Sequence, residues 1–307
     1  MAFWAILAIM IYWPEFEFDF RLDMPRVLSH IAAIEACREA AANPVLPPQW
    51  REQFRCDETE AAPQNGRAES ELSQRSIAVR KQELRQRNAS PTLAWVRKRF
   101  APGTAAISLS DILHLHRMMA DESGVYADTA GALRTAGVEV GGREAGGLHL
   151  GAPPQKLPQL MDGYVSFIND VSVSSFPACV HALVAHFFFT TIHPFDDGNG
   201  RLCRLISAAI LFQRGYNGHA FGLFNYFYLN KIKYHRLLHR CWQEPLPFEL
   251  TGFVAFGTEG LAAELQGINS FIKVRLHRTA ERELLTPMLR DRVEARRNHD
   301  GYGNLRR

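Results

Sequence analysis

The feature of the sequence that most restricts its fold is an apolar run at 178–192, fifteen residues that contain no Asp, Glu, Lys or Arg. Three consecutive phenylalanines, Phe187, Phe188 and Phe189, lie within it. A run of this length is longer than an ordinary strand, and it predicts a helix that is buried on all sides. Because such a helix must be covered by other elements, we expect it at the centre of a domain.

The rest of the chain also shows mostly helical patterns. Apolar spacing, capping residues and punctuating Pro and Gly predict one or two helices in 14–55 and further helices from about 108 and at 157–168, 199–214, 226–242 and 247–280. The glycine-rich stretch 131–154 contains the short alternating segment 138–140, which predicts a hairpin. The expected fold class is therefore mainly α, with one small β-hairpin.

Composition excludes several classes of protein. The 307 residues are 47% hydrophobic and 22% charged, which is typical of a folded chain and not of one disordered throughout. The formal net charge of +3 gives no reason to expect nucleic acid as a partner. The five cysteines are scattered without CxxC spacing, which argues against a disulfide scaffold or a cysteine zinc site and favours a reducing, cytoplasmic location.

The N-terminal run from Ala2 to Trp13 is apolar but too short to span a bilayer as a helix. No Lys or Arg precedes Arg21, whereas a secretory signal begins with a basic segment. We therefore expect this run to pack against the protein or to form an interface, with a membrane anchor as the weaker alternative.

The residues that carry chemistry follow the apolar run directly, as His193-Pro-Phe-Asp-Asp-Gly-Asn-Gly-Arg-Leu-Cys-Arg204. Pro194 disfavours helical geometry at the residue before it, so His193 is expected to be extended, with its imidazole projecting from a loop. Gly198 and Gly200 allow a tight turn and a close approach of the backbone to a ligand. The next helix begins here, and its unpaired amides and positive dipole end favour a phosphate group.

Charged side chains surround the same turn. Arg201 and Arg204 are three residues apart, which places both guanidinium groups on one face of the helix near its start. Asp197 offers a carboxylate where a divalent ion bridging phosphates would need one, whereas Asp196 is interpreted as a solvated loop residue. A base, a carboxylate, an anion-binding turn and two arginines predict a nucleotide phosphate site beside a proton acceptor. The GxxxxGK[ST] loop of P-loop NTPases does not occur.

This string matches HPFx(D/E)GNGRxxR, the motif of the Fic domain family, at every fixed position. Other residues resemble family landmarks in their usual order, namely Gly131 to Arg134, the turn after Val138, Pro153-Pro154, Ala185-His186 and Tyr234. The resemblance covers about 98–260 and implies a Fic-type helical domain there. We expect an N-terminal helical region at 1–97, with a polar linker at about 56–90, and a helical tail at 261–307. That tail is basic, with ten basic residues against five acidic ones in 273–307.

The resemblance implies a protein adenylyltransferase that uses ATP and Mg²⁺ to modify a Ser, Thr or Tyr hydroxyl of a target protein. By position, His193 would be the general base and Asp197 the metal ligand. The family's phosphate-binding positions are occupied here by Gly198, Asn199, Gly200, Arg201 and Arg204. The flap that docks the target and borders the nucleotide corresponds to Val138, Glu139, Val140 and Gly141. Tyr234 and His235 stand where the family often has two tyrosines near the nucleotide base.

Two alternatives to adenylyl transfer stay open. The same site could transfer another nucleotide or another phosphate-linked group, because the motif binds phosphates more specifically than bases. The domain could also be a nucleotide-binding regulatory module that has lost catalysis, although an intact His193 and Asp197 argue against this. The predicted partner is a target protein that presents a hydroxyl side chain, and neither nucleic acid nor a membrane is expected as a partner.

The chain departs from the family in the residues that control activity. Many relatives carry an inhibitory helix with the pattern (S/T)xxxE(G/N), which has no match here. Glu259-Gly260 is the single Glu-Gly pair, and Ala255 stands where the hydroxyl residue is required. Thr190 also replaces the Glu that many relatives have just before the motif. We therefore expect no self-inhibition, and restraint either by a separate inhibitory partner or by nothing, with a homodimer as a further option for assembly.

Overall fold

The computed structural model of the chain describes residues 8–9, 13, 16–41, 91–123, 129–142, 147–216, 226–227, 229–244, 246–267 and 269–270. By its internal contacts the chain divides into two compact units, Met1–Glu264 and Leu265–Arg307. The described residues are mainly helical with a few short strands, which confirms the predicted fold class. The predicted polar linker at 56–90 lies outside the described residues, as does the tail beyond 270.

The helices are α1 (Leu28–Ala41), α2 (Pro91–Arg99), α3 (Leu109–Ser123), α4 (Leu157–Asn169), α5 (Val171–Ser174), α6 (Ala178–Ile192), α7 (Asn199–Gln213), α8 (Lys231–Gln243) and α9 (251–267). The strands are β1 (Ala8–Ile9), β2 (Phe20–Arg21), β3 (Glu139–Gly142), β4 (Gly147–Leu150) and β5 (Phe248–Glu249). Single 3₁₀ turns precede α1 and α4. The helices predicted at 157–168 and 199–214 agree with α4 and α7 within one residue.

Helix α6 is the centre of the fold, as its sequence predicts. All 15 of its residues are buried, including the three consecutive phenylalanines. Burying an aromatic or aliphatic side chain of this size contributes roughly 1.5–3 kcal/mol. A side-chain hydrogen bond joins α6 to α7, because the hydroxyl of Ser207 donates to the carbonyl of Ala182 at 3.2 Å. The loop between these two helices is therefore anchored to the most buried part of the protein.

The start of α3 and the end of α7 agree with the helix bounds that the sequence predicts. The amide of Asp111 donates to the hydroxyl of Ser108 at 3.2 Å, and the Asp111 carboxylate accepts from the Ser108 amide at 2.9 Å, which caps the start of α3. Gly215 has a φ of 80° after the end of α7, in the left-handed region that glycine enters without strain. Local capping chemistry thus sets the bounds of both helices.

The prediction of helix over 14–55 is correct for α1 but wrong for 16–23, which contain no helix and include strand β2. In 16–20 the sequence alternates Phe with acidic residues, a period of two that favours a strand over a helix. β2 then pairs in parallel with β5. Residues 42–55 lie outside the described residues.

The extended N-terminal segment packs against the central helix. The ring centroids of Phe16, Phe18 and Phe20 lie 6.3, 5.4 and 6.3 Å from that of Phe188. Trp13 is buried, and its ring lies 4.9 Å from that of Phe16. The described residues of the N-terminal apolar run therefore pack on the protein, in agreement with the expectation for this run.

A three-stranded sheet has the order β1-β4-β3. β3 and β4 form the predicted antiparallel hairpin, which we call the flap, with Val140 opposite His149. β1 pairs in parallel with the other edge of β4. Among the described residues, no strand covers the outer edge of β3.

Within the described residues, no helix is both long and apolar enough to cross a membrane.

Candidate active site

The motif loop, residues 193–198, connects α6 to α7 and begins at His193. His193 is left-handed, with φ 53° and ψ 62°, and not extended as the proline after it suggested. Its amide still donates to the carbonyl of Phe189 at 3.0 Å, and its carbonyl accepts from Nε of Arg134 at 2.7 Å. Both backbone groups are thus satisfied in the left-handed conformation, and the proline still prevents a further helical turn.

The imidazole of His193 is held in one tautomer. Nδ1 lies 3.3 Å from the carbonyl of Thr190, and because a carbonyl only accepts, Nδ1 carries the proton. Burial lowers the pKa of His193 to about 4, and the nearby positive charge of Arg134 acts in the same direction, while the bond to Thr190 opposes both. The ring is therefore neutral at pH 7, with a lone pair on Nε2 that can accept a proton.

The start of α7 provides a turn with little side-chain bulk. Gly198 is the residue before the first helical position and has φ 78°. A Cβ on Gly198 would make only an ordinary contact, 3.4 Å from Nε2 of His116, so the left-handed φ is what favours glycine here. The first amides of α7 have no partner within the helix, and the positive end of its dipole favours an anion here.

Two buried side chains hold the motif loop. The amide of Phe195 donates to Oδ1 of Asn199 at 3.0 Å, and Nδ2 of Asn199 donates to the carbonyl of Phe195 at 2.7 Å. The ring of His116 stacks on that of Phe195 at 3.9 Å, and its Nε2 donates to the carbonyl of Asp197 at 3.1 Å. The amide of Gly131 donates to Nδ1 of the same histidine at 2.9 Å.

These contacts refine what the sequence predicted. The side-chain amide of Asn199 is committed to the loop backbone, so any phosphate contact at this position falls to its main-chain amide. His116 was not among the predicted site residues, so its bracing of the motif loop was missed. A stack between residues almost eighty positions apart leaves no local signal that could have found it.

The charged groups lie around the start of α7. Asp196 and Asp197 are both exposed, and Oδ2 of Asp197 lies 3.5 Å from Nη2 of Arg201. A Cβ on Gly200 would lie 3.7 Å from Nη1 of Arg204, so that guanidinium reaches back over the first turn of the helix. Burial lowers the pKa of Arg204 from its ordinary value, although an arginine stays charged in proteins. The structure thus brings Asp197, Arg201 and Arg204 together at one helix end.

The flap meets the motif loop at its base. A Cβ on Gly151, just after β4, would lie 3.3 Å from Cβ of His193 and 2.7 Å from Cγ1 of Val138. The amide of Gly151 donates to the carbonyl of Val138 at 3.0 Å. Glu139 and Gly141 are exposed and Val140 is half-buried. These predicted flap residues belong to β3 and are accessible to solvent.

A cavity of about 360 Å³ lies beside the flap and is mostly apolar. Its walls include Trp13, Val138, Glu139, Leu150 and Pro153. The N-terminal segment therefore contributes to the surface next to β3, which the sequence did not predict.

Tyr234 and His235 lie in α8, close to the motif helices. The hydroxyl of Tyr234 is 2.7 Å from Nε2 of His186, inside the domain, and the rings of Tyr234 and His235 lie 5.0 Å apart. Nδ1 of His186 lies 3.3 Å from the hydroxyl of Ser207, so this buried histidine contacts both α7 and α8. Tyr234 thus directs its polar end to the core, and His235 is half-buried beside it.

Asp197 is the candidate metal ligand. No group of three or more His, Cys, Asp or Glu residues in the described ranges is arranged to hold a metal by itself. Magnesium, however, is usually bound by one or two carboxylates together with substrate phosphates and water. The side chain of Asp197 is 47% exposed and lies next to the start of α7, where the sequence predicts a phosphate, so this residue fits such an ion.

Comparisons with known proteins match the part of the chain that contains this site. A family model described as Fic/DOC family matches residues 106–211. Protein adenylyltransferase Fic of Aedes aegypti is 36% identical over 110 residues, which are 36% of this chain and 20% of that protein. Protein adenylyltransferase fic-1 of Caenorhabditis briggsae has the same identity over the same shares. The matched segment spans about a fifth of the length of these curated relatives.

Solved structures share the fold over a longer part of the chain. A Fic family protein from Desulfovibrio desulfuricans has a TM-score of 0.62 and 20% identity, and the match covers 83% of this chain and 77% of that one. A Fic domain containing signaling protein from Bacteroides thetaiotaomicron has a TM-score of 0.54 and 18% identity, with 80% and 98% covered. At these identities the likeness is one of fold.

Proposed function

We propose, from the match of residues 106–211 to the Fic/DOC family, that this protein transfers AMP from ATP to a Ser, Thr or Tyr hydroxyl of a target protein. The observation that carries the proposal is the neutral imidazole of His193, whose Nε2 lone pair lies beside a glycine-opened helix start with two arginines. Relatives named protein adenylyltransferase support the same reaction class.

In the proposed reaction, Nε2 of His193 takes the proton of the target hydroxyl as its oxygen attacks the α-phosphorus of ATP. A bond forms between that oxygen and phosphorus, and the bond from the α-phosphorus to the bridging oxygen of the β-phosphate breaks. Pyrophosphate leaves with the electron pair, and AMP stays on the target. Positioning and charge stabilisation carry most of the catalysis in reactions of this kind.

The phosphates would lie at the start of α7. The main-chain amides of Gly198, Asn199 and Gly200 would bind phosphate oxygens, and Arg201 and Arg204 would stabilise the charge that develops on pyrophosphate. Asp197 would hold Mg²⁺, an ion that neutralises phosphate charge when bound. The free edge of β3 and the cavity next to it would dock the target segment, with the nucleotide base near α8.

The test is transfer of label from α-labelled ATP in a cell lysate and to the protein itself. His193→Ala should reduce labelling by about 10²- to 10⁴-fold and leave the Kd for ATP within about twofold, because a general base contributes to chemistry and not to nucleotide binding. His114→Ala is the matched control, since His114 lies on α3 with its ring 4.9 Å from that of Trp95. Equal labelling by His193→Ala and wild type would contradict the proposal.

Transfer of another nucleotide or phosphate-linked group is the second candidate. The observation in its favour is that Tyr234, the expected base contact, is hydrogen-bonded to His186 inside the domain. Labelled GTP, UTP and CDP-choline should be compared with ATP at equal concentration. Higher incorporation from one of these than from ATP would favour this candidate.

Control of the activity is a separate proposal. Glu259 is exposed on α9 and Ala255 is half-buried, and together they lack the inhibitory pattern. We expect wild type to label itself without activation, restrained either by a separate partner or by nothing. A sharp rise in self-labelling on mutating a glutamate within 56–90 would overturn this expectation.

A further inference from the structure

Arg134 lies before the flap, is 3% exposed, and donates to backbone carbonyls. Its Nε donates to the carbonyl of His193 at 2.7 Å and Nη1 to that of Ala136 at 2.6 Å. Nη2 donates to the carbonyl of Ala152 at 2.5 Å and, more weakly, to that of Ile192 at 3.5 Å. Within the described ranges, Arg134 forms no ion pair with a carboxylate.

The carbonyls come from three separate segments of the chain. Two belong to the end of α6 and the start of the motif loop, one to the approach to β3, and one to the segment after β4. The amide of Arg134 also donates to the carbonyl of Pro194 at 3.0 Å. A single residue therefore joins the motif loop to both ends of the flap.

A buried guanidinium without a carboxylate carries a desolvation penalty. Charge-assisted hydrogen bonds to carbonyls offset that penalty, and an apolar residue that only filled the space would avoid it. What Arg134 adds is a fixed direction for the carbonyl of His193. Because His193 is left-handed at φ 53°, a conformation that non-glycine residues seldom adopt, its backbone depends on such outside support.

We propose that Arg134 is a positioning residue, which holds the backbone of His193 so that its imidazole faces the reacting hydroxyl. The inference rests on the proposed transfer reaction. The donors of Arg134 are taken up by protein carbonyls, so it acts through His193 and not on the nucleotide or the target. Its positive charge also lowers the pKa of His193, which favours the neutral ring that the reaction needs.

The first experiment compares Arg134→Lys with a matched control, Arg99→Lys. Arg99 also binds backbone carbonyls, those of Ala105 and Ala106 at 3.1 and 3.0 Å, and pairs with Asp111, so it links α2 to α3. A lysine keeps the charge of either residue but not the planar fork. Both variants should lower the Tm. Only Arg134→Lys should lower kcat for labelling, by about 100-fold with an unchanged KM for ATP, because a displacement of about 1 Å at the base has that effect.

The second experiment measures the tautomer of the His193 imidazole in the protein without nucleotide or target. In ¹⁵N NMR spectra, wild type should show a single tautomer with the proton on Nδ1, and Arg134→Lys a mixture of tautomers. Arg134→Gln, which keeps a planar amide donor, replaces the lysine variant in both experiments if the latter does not fold. Added guanidinium ion should raise the kcat of Arg134→Ala at least about fivefold. It should leave the kcat of Arg99→Ala unchanged.

An unchanged His193 spectrum in the folded variant overturns the inference, as does a kcat within about threefold of that of Arg99→Lys. Failure of the proposed function would look different. Wild type would then transfer no AMP, while the tautomer of His193 would still respond to the change at Arg134.

Discussion

The motif loop and the flap border the same imidazole, but the protein holds them by different means. Buried side chains from α3 and α7, His116 and Asn199, bond the backbone of the loop, and Arg134 bonds its first carbonyl. The flap is held mainly by backbone pairing of short strands, with Arg134 and His149 fixing its base to neighbouring segments, and the outer edge of β3 is uncovered in the described chain. Under the proposed function this difference is expected, because a loop that binds a constant phosphate group benefits from a fixed shape, whereas a flap that docks a protein segment needs an accessible edge.

The largest effect is expected from acid acting on the flap. His149 in β4 is fully buried, its Nε2 donates to the carbonyl of Thr191 at 2.9 Å, and burial lowers its pKa to about 4. Since the unfolded chain titrates near 6.5, it binds more protons than the folded protein between pH 6.5 and 4. The contribution of His149 to the free energy of unfolding is therefore complete above pH 6.5 and is lost as the pH falls towards 4.

The variant His149→Phe keeps an aromatic ring stacked on Trp242 but has no imidazole to take up a proton. Over that pH range the variant should lose less unfolding free energy than wild type, by on the order of 3 kcal/mol, in urea titrations followed by circular dichroism. His114→Phe is the control and should keep the wild-type slope. Identical slopes for His149→Phe and wild type would mean that protonation of His149 does not contribute to the loss of stability in acid.

A smaller effect is expected in the loop. Asn199→Ala leaves the buried backbone groups of Phe195 without partners, which should reduce the free energy of unfolding by about 2 kcal/mol and weaken ATP binding about tenfold. Asn169→Ala is a matched control, because Asn169 makes the same pair of bonds to Ile107, at 3.2 and 2.8 Å. It should lose similar stability with an unchanged Kd for ATP by calorimetry. If both variants bind ATP equally well, the shape of the loop does not matter for the nucleotide.

The smallest effect is expected at the exposed edge of the flap. Glu139→Lys reverses a charge that the structure leaves open to solvent, so the Kd for ATP should stay within about twofold and unfolding within about 0.5 kcal/mol. The set of labelled lysate proteins should change, as read by mass spectrometry. Glu17→Lys, at an exposed residue of the N-terminal segment, should leave that set as it is. A weaker ATP affinity in Glu139→Lys alone would show that the flap serves the nucleotide more than the target.

Local signals were sufficient for much of the fold. The apolar run predicted α6 with its observed bounds, and Gly215 marked the end of α7. They failed where two signals competed. Residues 16–23 lie next to a helical pattern and were assigned to it, although their own alternation is that of a strand that packs on Phe188.

The sequence alone determined the chemistry of the site, because a histidine, two glycines, a carboxylate and two arginines within twelve residues retain their functional groups in any conformation. Only the tertiary structure decided how those groups are held. The left-handed backbone of His193, the commitment of Asn199 to the loop and the carbonyl contacts of Arg134 all depend on partners from other segments. Hydrogen bonds between residues far apart in the chain satisfy buried polar groups, and that requirement exists only once the core has excluded water.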